Sequence, residues 1–160
     1  MSAYDTTLSR VEHYFDRTAT TVWERLTSDA PVSGVRATVR AGRDRMRNVM
    51  LSQLPADLTG LRILDAGCGT GAMAVELAAR GADVLAVDIS PALVEIARKR
   101  MPEGLPGTID WRSGDMTDPA LGSFDHALAM DSMIYYTAKD LAQIMSRMAP
   151  RLSGKFVFTL

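Results

Sequence analysis

The segment Leu61-Arg62-Ile63-Leu64-Asp65-Ala66-Gly67-Cys68-Gly69-Thr70-Gly71 constrains this chain more than any other. An apolar run ends in an acid, passes through three alternating glycines and opens onto the helix-like run Ala72 to Arg80. A strand that turns this sharply into a helix needs residues without a Cβ, and the same glycines let backbone approach a bound molecule. By itself the pattern specifies a nucleotide-like ligand at the first strand-to-helix turn.

The surrounding chain supplies the context that such a turn requires. From Leu61 onward, strand and helix patterns alternate, which argues for a parallel sheet flanked by helices. Strands are expected at Leu61–Asp65, Asp83–Asp88, Thr108–Arg112, Phe124–Met130 and Lys155–Leu160. Helices are expected over Thr70–Arg80, stopped by Gly81, then over Ala92–Arg100 behind Ser90 and Pro91, and from Thr137 to Ala149. The apolar end, Phe156 to Leu160, reads as a central strand with nothing to cover it, so the chain is expected to be truncated after strand five.

The first third of the chain is helical in pattern. Leu8, Val11 and Phe15 share one helix face, and Thr18, Thr20 and Thr21 then weaken it. Thr21-Val22-Trp23-Glu24 reads as a capping box that restarts a helix. Val35, Val39, Met46 and Met50 form an apolar stripe on a longer helix that Pro55 ends. The expected organisation is a helical arm over 1–56 covering an acceptor site, and a ligand-binding core over 57–160.

Composition excludes several classes. A chain of 160 residues, 47% hydrophobic and 23% charged, suits one globular domain with a real core. A net charge of -1 offers no general reason to expect nucleic acid. The single cysteine precludes an internal disulfide and fits a reducing interior. No apolar run reaches the roughly 18 residues of a membrane span, and no signal-peptide pattern opens the chain, so a cytoplasmic location is expected. No metal-ligand spacing occurs, and the two histidines, His13 and His126, lie far apart in sequence.

Three acids fall at expected strand ends, on the edge where parallel sheets bind ligands. Asp88 lies 21 residues after Gly67, where a carboxylate can accept both ribose hydroxyl hydrogen bonds of an adenosine. Asp115, in Ser113-Gly114-Asp115-Met116, could accept from an adenine amino group. Asp65 could either face a ligand's ammonium or cap the backbone N–H groups of its own turn. The glycines also satisfy the dinucleotide pattern through Ala72, leaving a nicotinamide-dependent oxidoreductase as an alternative. An acid directly before the glycines suits a cationic amino-acid-bearing cofactor better than a pyrophosphate.

This constellation resembles the class I S-adenosylmethionine-dependent methyltransferases, with a Rossmann-like α/β core. The family's glycine motif matches Asp65 to Gly71, its ribose acid Asp88 and its adenine-contacting acid Asp115. The resemblance implies a seven-stranded sheet and S-adenosylmethionine as cofactor. It implies cofactor contacts from Asp65, Gly67, Cys68, Gly69 and Gly71, and from Asp88, Ile89, Asp115, Met116 and Met130. Cys68 reads as a small spacer, with no basic neighbour in sequence to activate it.

Val11-Glu12-His13-Tyr14-Phe15-Asp16, Trp23 and the run Val35 to Arg43 resemble the N-terminal arm of magnesium-protoporphyrin IX O-methyltransferases, as does Asp131 to Tyr136. That resemblance implies a porphyrin substrate, a place in bacteriochlorophyll or chlorophyll synthesis, and contact with magnesium chelatase and the inner membrane surface. Tyr14 and Tyr135 are the expected substrate-positioning groups. The relatives' pattern has histidine at Tyr135, so a general base is not expected there. Arg36, Arg40, Arg43 and Arg47 recur at helical spacing, either as a solvated face or as carboxylate-binding guanidinium groups. Arg43, beside Gly42, is the expected partner of the cofactor's carboxylate. Another small-molecule O- or N-methyltransferase and an inactive cofactor-binding fragment remain open as alternatives.

Overall fold

A computed structural model describes residues 2–160, apart from the side chains of Arg17 and Thr18. Five parallel strands form one sheet: β1 (Arg62–Ala66), β2 (Asp83–Asp88), β3 (Thr108–Ser113), β4 (His126–Ala129) and β5 (Phe156–Phe158). Their spatial order is β3-β2-β1-β4-β5, so the winding reverses between β1 and β4. A crevice opens beyond the carboxyl ends of the strands at such a reversal.

Both faces of the sheet are buried, because successive strand residues point to opposite sides. Ile63 and Val84 enter one core with Leu58, Leu77 and Trp111. Their neighbours Leu64 and Leu85 enter the other, with Tyr4, Phe124, Ile144 and Met148. Helices α4 (Ala72–Ala79) and α5 (Pro91–Arg100) follow β1 and β2, and α6 (Ala138–Met148) follows β4. Ser90 caps α5 by accepting from the Leu93 N–H at 3.3 Å, with Pro91 at the first helical position. Thr137 and Asp140 form a reciprocal capping box on α6. Gly81, at φ +94°, ends α4 as expected.

The helical first third differs from its sequence reading in two respects. Helix α1 (Ala3–Tyr14) does not stop and restart at Thr21. It runs through a π-helical turn, Phe15–Ala19, straight into α2 (Thr20–Thr27), and no side chain caps that junction. The Thr20 hydroxyl instead donates to the Phe15 carbonyl five residues back, in the π register. Helix α3 (Gly34–Leu51) ends well before Pro55, and only Met50 of the apolar stripe is buried. Val35, Val39 and Met46 stay exposed, at 78%, 45% and 43%. The face that packs is the arginine face.

Candidate functional site

The glycine turn is held by its own chain. The Gly67 and Cys68 N–H groups both donate to the Val87 carbonyl, at 2.8 and 2.9 Å, and the Gly71 N–H donates to the Cys68 carbonyl at 2.9 Å. Gly69 donates to Asp88 Oδ2 at 2.8 Å. These bonds tie the end of β1 to the end of β2 without using Asp65. Gly67 sits at φ +77°, and a Cβ there would collide with Ser132. At Gly71, φ +93°, a Cβ would lie 2.6 Å from the Trp111 ring. Gly71 therefore serves helix–sheet packing, between Thr70 and Ala72, which line the cavity.

Asp65 is 2% exposed, and its Oδ2 has no hydrogen-bond partner. Burial first, and then the Asp88 charge, push its pKa up to about 7, against the pull of the Ala74 backbone N–H. The N–H groups of Gly67, Cys68, Gly69 and Gly71 are satisfied elsewhere, so this oxygen caps none of them. A buried carboxylate oxygen left without a partner is costly unless a ligand supplies one. Asp88 is also buried, its pKa raised by desolvation and pulled back by the N–H groups of Ser90 and Gly69. The Cys68 thiol is pushed well up by burial and by both acids, so it stays protonated and fills space, as its sequence context indicated.

A cavity of about 360 Å³ lies over this turn. Asp65, Gly67, Cys68, Gly69, Asp88, Ile89, Met116 and Met130 all line it, as do Arg43 and Tyr135. Asp115 does not. Its Oδ1 accepts from the Tyr4 hydroxyl at 2.7 Å and from the Thr117 N–H and hydroxyl at 2.8 and 2.9 Å. Its neighbours Gly114 and Met116 face the cavity instead. The bond from α1 occupies Asp115 Oδ1 and leaves its Oδ2 without a protein donor among the described residues. Tyr14 is half exposed and off the cavity wall, packing edge-on against Phe15.

The N-terminal helices reach all three loops that follow β2, β3 and β4. Tyr4 takes Asp115, Asp16 accepts from the Ser90 hydroxyl, and Arg43 forms an ion pair with Asp131. Arg43 also lies over the Trp23 ring, 4.4 Å from its centroid. Arg40 donates to the carbonyls of Leu26, Ala30 and Arg25 at 2.9, 2.8 and 3.0 Å, so two of the four expected arginines tie α3 to its surroundings. Arg47 pairs with Asp44, and only Arg36 is solvated. Gly42 is an ordinary helical residue with no heavy atom near its would-be Cβ, so it makes no close approach.

Phe15 joins Trp23 and Tyr135 edge-on at 5.9 and 5.6 Å, forming an aromatic wall. The Tyr135 hydroxyl is held protonated by burial first, then by Tyr14 and Asp131, against the Arg43 charge. His126 is half-buried, with Nδ1 accepting from the Lys155 N–H at 2.9 Å.

Two contributors have roles that the sequence did not assign. Tyr4 extends the Leu8–Val11–Phe15 face by one turn, a signal that was present. Asp131 has φ +57°, the one positive value outside glycine among the described residues. Its N–H donates to the Thr159 hydroxyl at 2.9 Å. No sequence pattern announces that conformation. Among the described residues, no group of three or more His, Cys, Asp or Glu could hold a metal. None of their helices is long and apolar enough to cross a membrane.

A parallel sheet that reverses between β1 and β4, with a buried acid before its glycine turn, is the arrangement of a class I methyltransferase core. A family model described as a methyltransferase domain matches residues 63–154. Across 160 residues the chain is 58% identical to the magnesium-protoporphyrin O-methyltransferase of Rhodobacter capsulatus, covering 99% of this chain and 71% of that protein. Its Synechocystis counterpart is 30% identical over 153 residues, covering 93% and 66%. The crystal structure of magnesium protoporphyrin IX methyltransferase from Synechocystis with bound S-adenosylhomocysteine superposes with a TM-score of 0.82 at 28% identity, over 91% of this chain and 68% of that one. The chain belongs to the magnesium-protoporphyrin O-methyltransferase family.

Proposed function

We propose that this chain catalyses methyl transfer from S-adenosylmethionine to a propionate carboxylate of magnesium-protoporphyrin IX, giving the monomethyl ester on the route to bacteriochlorophyll. The observation that carries the acceptor is the 58% identity to the Rhodobacter capsulatus enzyme along the whole chain. The observation that carries the cofactor is the partnerless oxygen of Asp65, which suits an ammonium group. Asp88 suits ribose hydroxyls, because each of its oxygens accepts only one N–H and keeps a lone pair for a further donor. Ile89, Met116 and Met130 offer apolar walls for an adenine ring or a thioether. Arg43 would exchange Asp131 for the cofactor's carboxylate.

When bound, S-adenosylmethionine supplies a methyl group already activated on a cationic sulfur. A propionate is ionised at neutral pH and needs no general base. The work left to the chain is alignment and exclusion of water. Phe15, Trp23 and Tyr135 wall the cavity against solvent. Tyr135, holding its proton, donates a hydrogen bond to the acceptor, and Tyr14 guides the macrocycle from the rim. The arm over residues 1–56 acts as the cover of the acceptor site. Magnesium arrives within the porphyrin. Family resemblance adds magnesium chelatase as a partner and the inner membrane surface as a peripheral location.

The test is the mass of the porphyrin after incubation with S-adenosylmethionine and this chain. A product heavier by one methylene is expected. Unchanged porphyrin, with S-adenosylhomocysteine still binding by calorimetry, would overturn the acceptor assignment. Loss of that binding as well would overturn the cofactor assignment.

A further inference from the structure

Arg47 holds a donor to which the chain offers no acceptor. Its side chain is 17% exposed and the residue lines the cavity. Its Nε is buried and has no hydrogen-bond partner among the described residues. Only two other buried side-chain polar atoms of those residues share that state, and one is the Oδ2 of Asp65 in the same cavity wall. The two orphans are opposite in kind. The oxygen calls for a cation, and the guanidinium N–H calls for an anion.

The position of Arg47 follows from its helix. Nη2 donates to Asp44 Oδ1 at 2.6 Å, one turn toward the N-terminus of α3. Helical side chains lean in that direction, so the guanidinium is carried back toward Arg43, four residues earlier on the same face. The Arg47 charge is felt there, where it opposes protonation of Arg43. The neighbouring arginines are already engaged: Arg40 by three backbone carbonyls and Arg43 by Asp131.

We propose that Arg47 is a second carboxylate site of this cavity, holding the propionate of the acceptor that is not methylated. This rests on the functional reading above, in which a diacid enters and a monoester leaves. The carboxylate that stays ionised can pair tightly with a guanidinium, whereas the reacting one must keep a lone pair for the methyl group. Arg43 has to release Asp131 to take the cofactor's carboxylate. Arg47 has to release nothing, because Nε is unpaired and the half-exposed Asp44 keeps Nη2. A second transfer would place the new ester against Arg47. An ester carries no charge and accepts more weakly than a carboxylate, so methylation stops at one group.

The test compares kcat/KM on magnesium-protoporphyrin IX and on its monomethyl ester, with products identified by mass. The wild type is expected to prefer the diacid by about ten- to a hundred-fold, the loss of one charge-assisted hydrogen bond. Arg47→Met is expected to bring that ratio near one and to release diester from the diacid. Arg47→Lys, which keeps the charge without the planar fork, is expected to lie between. A purely structural role would lower both kcat/KM values together and leave their ratio unchanged. Calorimetry should find S-adenosylhomocysteine bound equally by wild type and Arg47→Met, which also shows that the variant folds. Equal use of diacid and monoester by the wild type would overturn the inference, as would a preference that survives Arg47→Met. Weakened S-adenosylhomocysteine binding in the variant would overturn it too, giving Arg47 to the cofactor's carboxylate. A wild type that methylates neither porphyrin would overturn the functional reading itself, and this inference with it.

Discussion

Asp65→Asn separates what the fold needs from what the ligand needs. In the folded chain the Asp65 carboxyl titrates near 7 instead of 3.8, with burial as the first cause. At about 1.4 kcal/mol per pH unit, holding it ionised costs the ligand-free fold about 4 kcal/mol above pH 7. The folded state keeps the proton through a range in which the unfolded state has lost it. Stability therefore falls as pH rises from about 4 to 7 and is level beyond. About 3 kcal/mol of that loss develops between pH 5 and pH 8. Asparagine cannot ionise, so the variant lacks this slope. Urea denaturation without ligand should find Asp65→Asn gaining about 3 kcal/mol on the wild type from pH 5 to pH 8. Calorimetry at pH 8 should find S-adenosylhomocysteine bound ten- to a hundred-fold more weakly, the loss of a charge-assisted hydrogen bond of about 1.5–3 kcal/mol. Parallel stability curves at both pH values would refute the reasoning, since they would mean that Asp65 is ionised without cost.

Three further substitutions probe the frame around the cavity. Gly71→Ala forces a side chain into φ +93° and against Trp111, and should cost about 2–4 kcal/mol in urea unfolding. Tyr4→Phe removes the hydroxyl that donates to Asp115 but leaves the Thr117 bonds in place, so a loss of about 1–2 kcal/mol is expected. Tyr135→Phe should raise KM for the porphyrin with kcat nearly unchanged. A fall in kcat at saturating porphyrin, with cofactor affinity intact, would instead assign Tyr135 a proton-transfer role.

The parallel core was legible because its determinants are local. Asp83–Asp88 was placed to the residue. Ser90-Pro91, Thr137 with Asp140, and Gly81 each mark a helix end through bonds made within a few residues. The glycine turn and the acids at strand ends follow from the same short-range pattern. Other features depend on what lies across the fold. The apolar stripe of α3 reads like a packing face, yet Arg40 and Arg43 find carbonyls and Asp131 on the neighbouring face, so the helix turns its arginines inward. The expected capping box at Thr21 gives way to a π-helical turn that brings Phe15 to Tyr135 and Asp16 to Ser90. Asp115 was legible as an acid after β3, but its bond from Tyr4, 111 residues away in sequence, was not.

What the sequence alone determined is therefore the sheet, its glycine turn and the chemistry gathered at one edge, because hydrophobic period and turn residues act over a few positions. The tertiary structure decided which of those side chains remain free for a ligand. An oxygen's availability depends on whether a distant donor reaches it first: Tyr4 reaches the Oδ1 of Asp115, and none reaches the Oδ2 of Asp65.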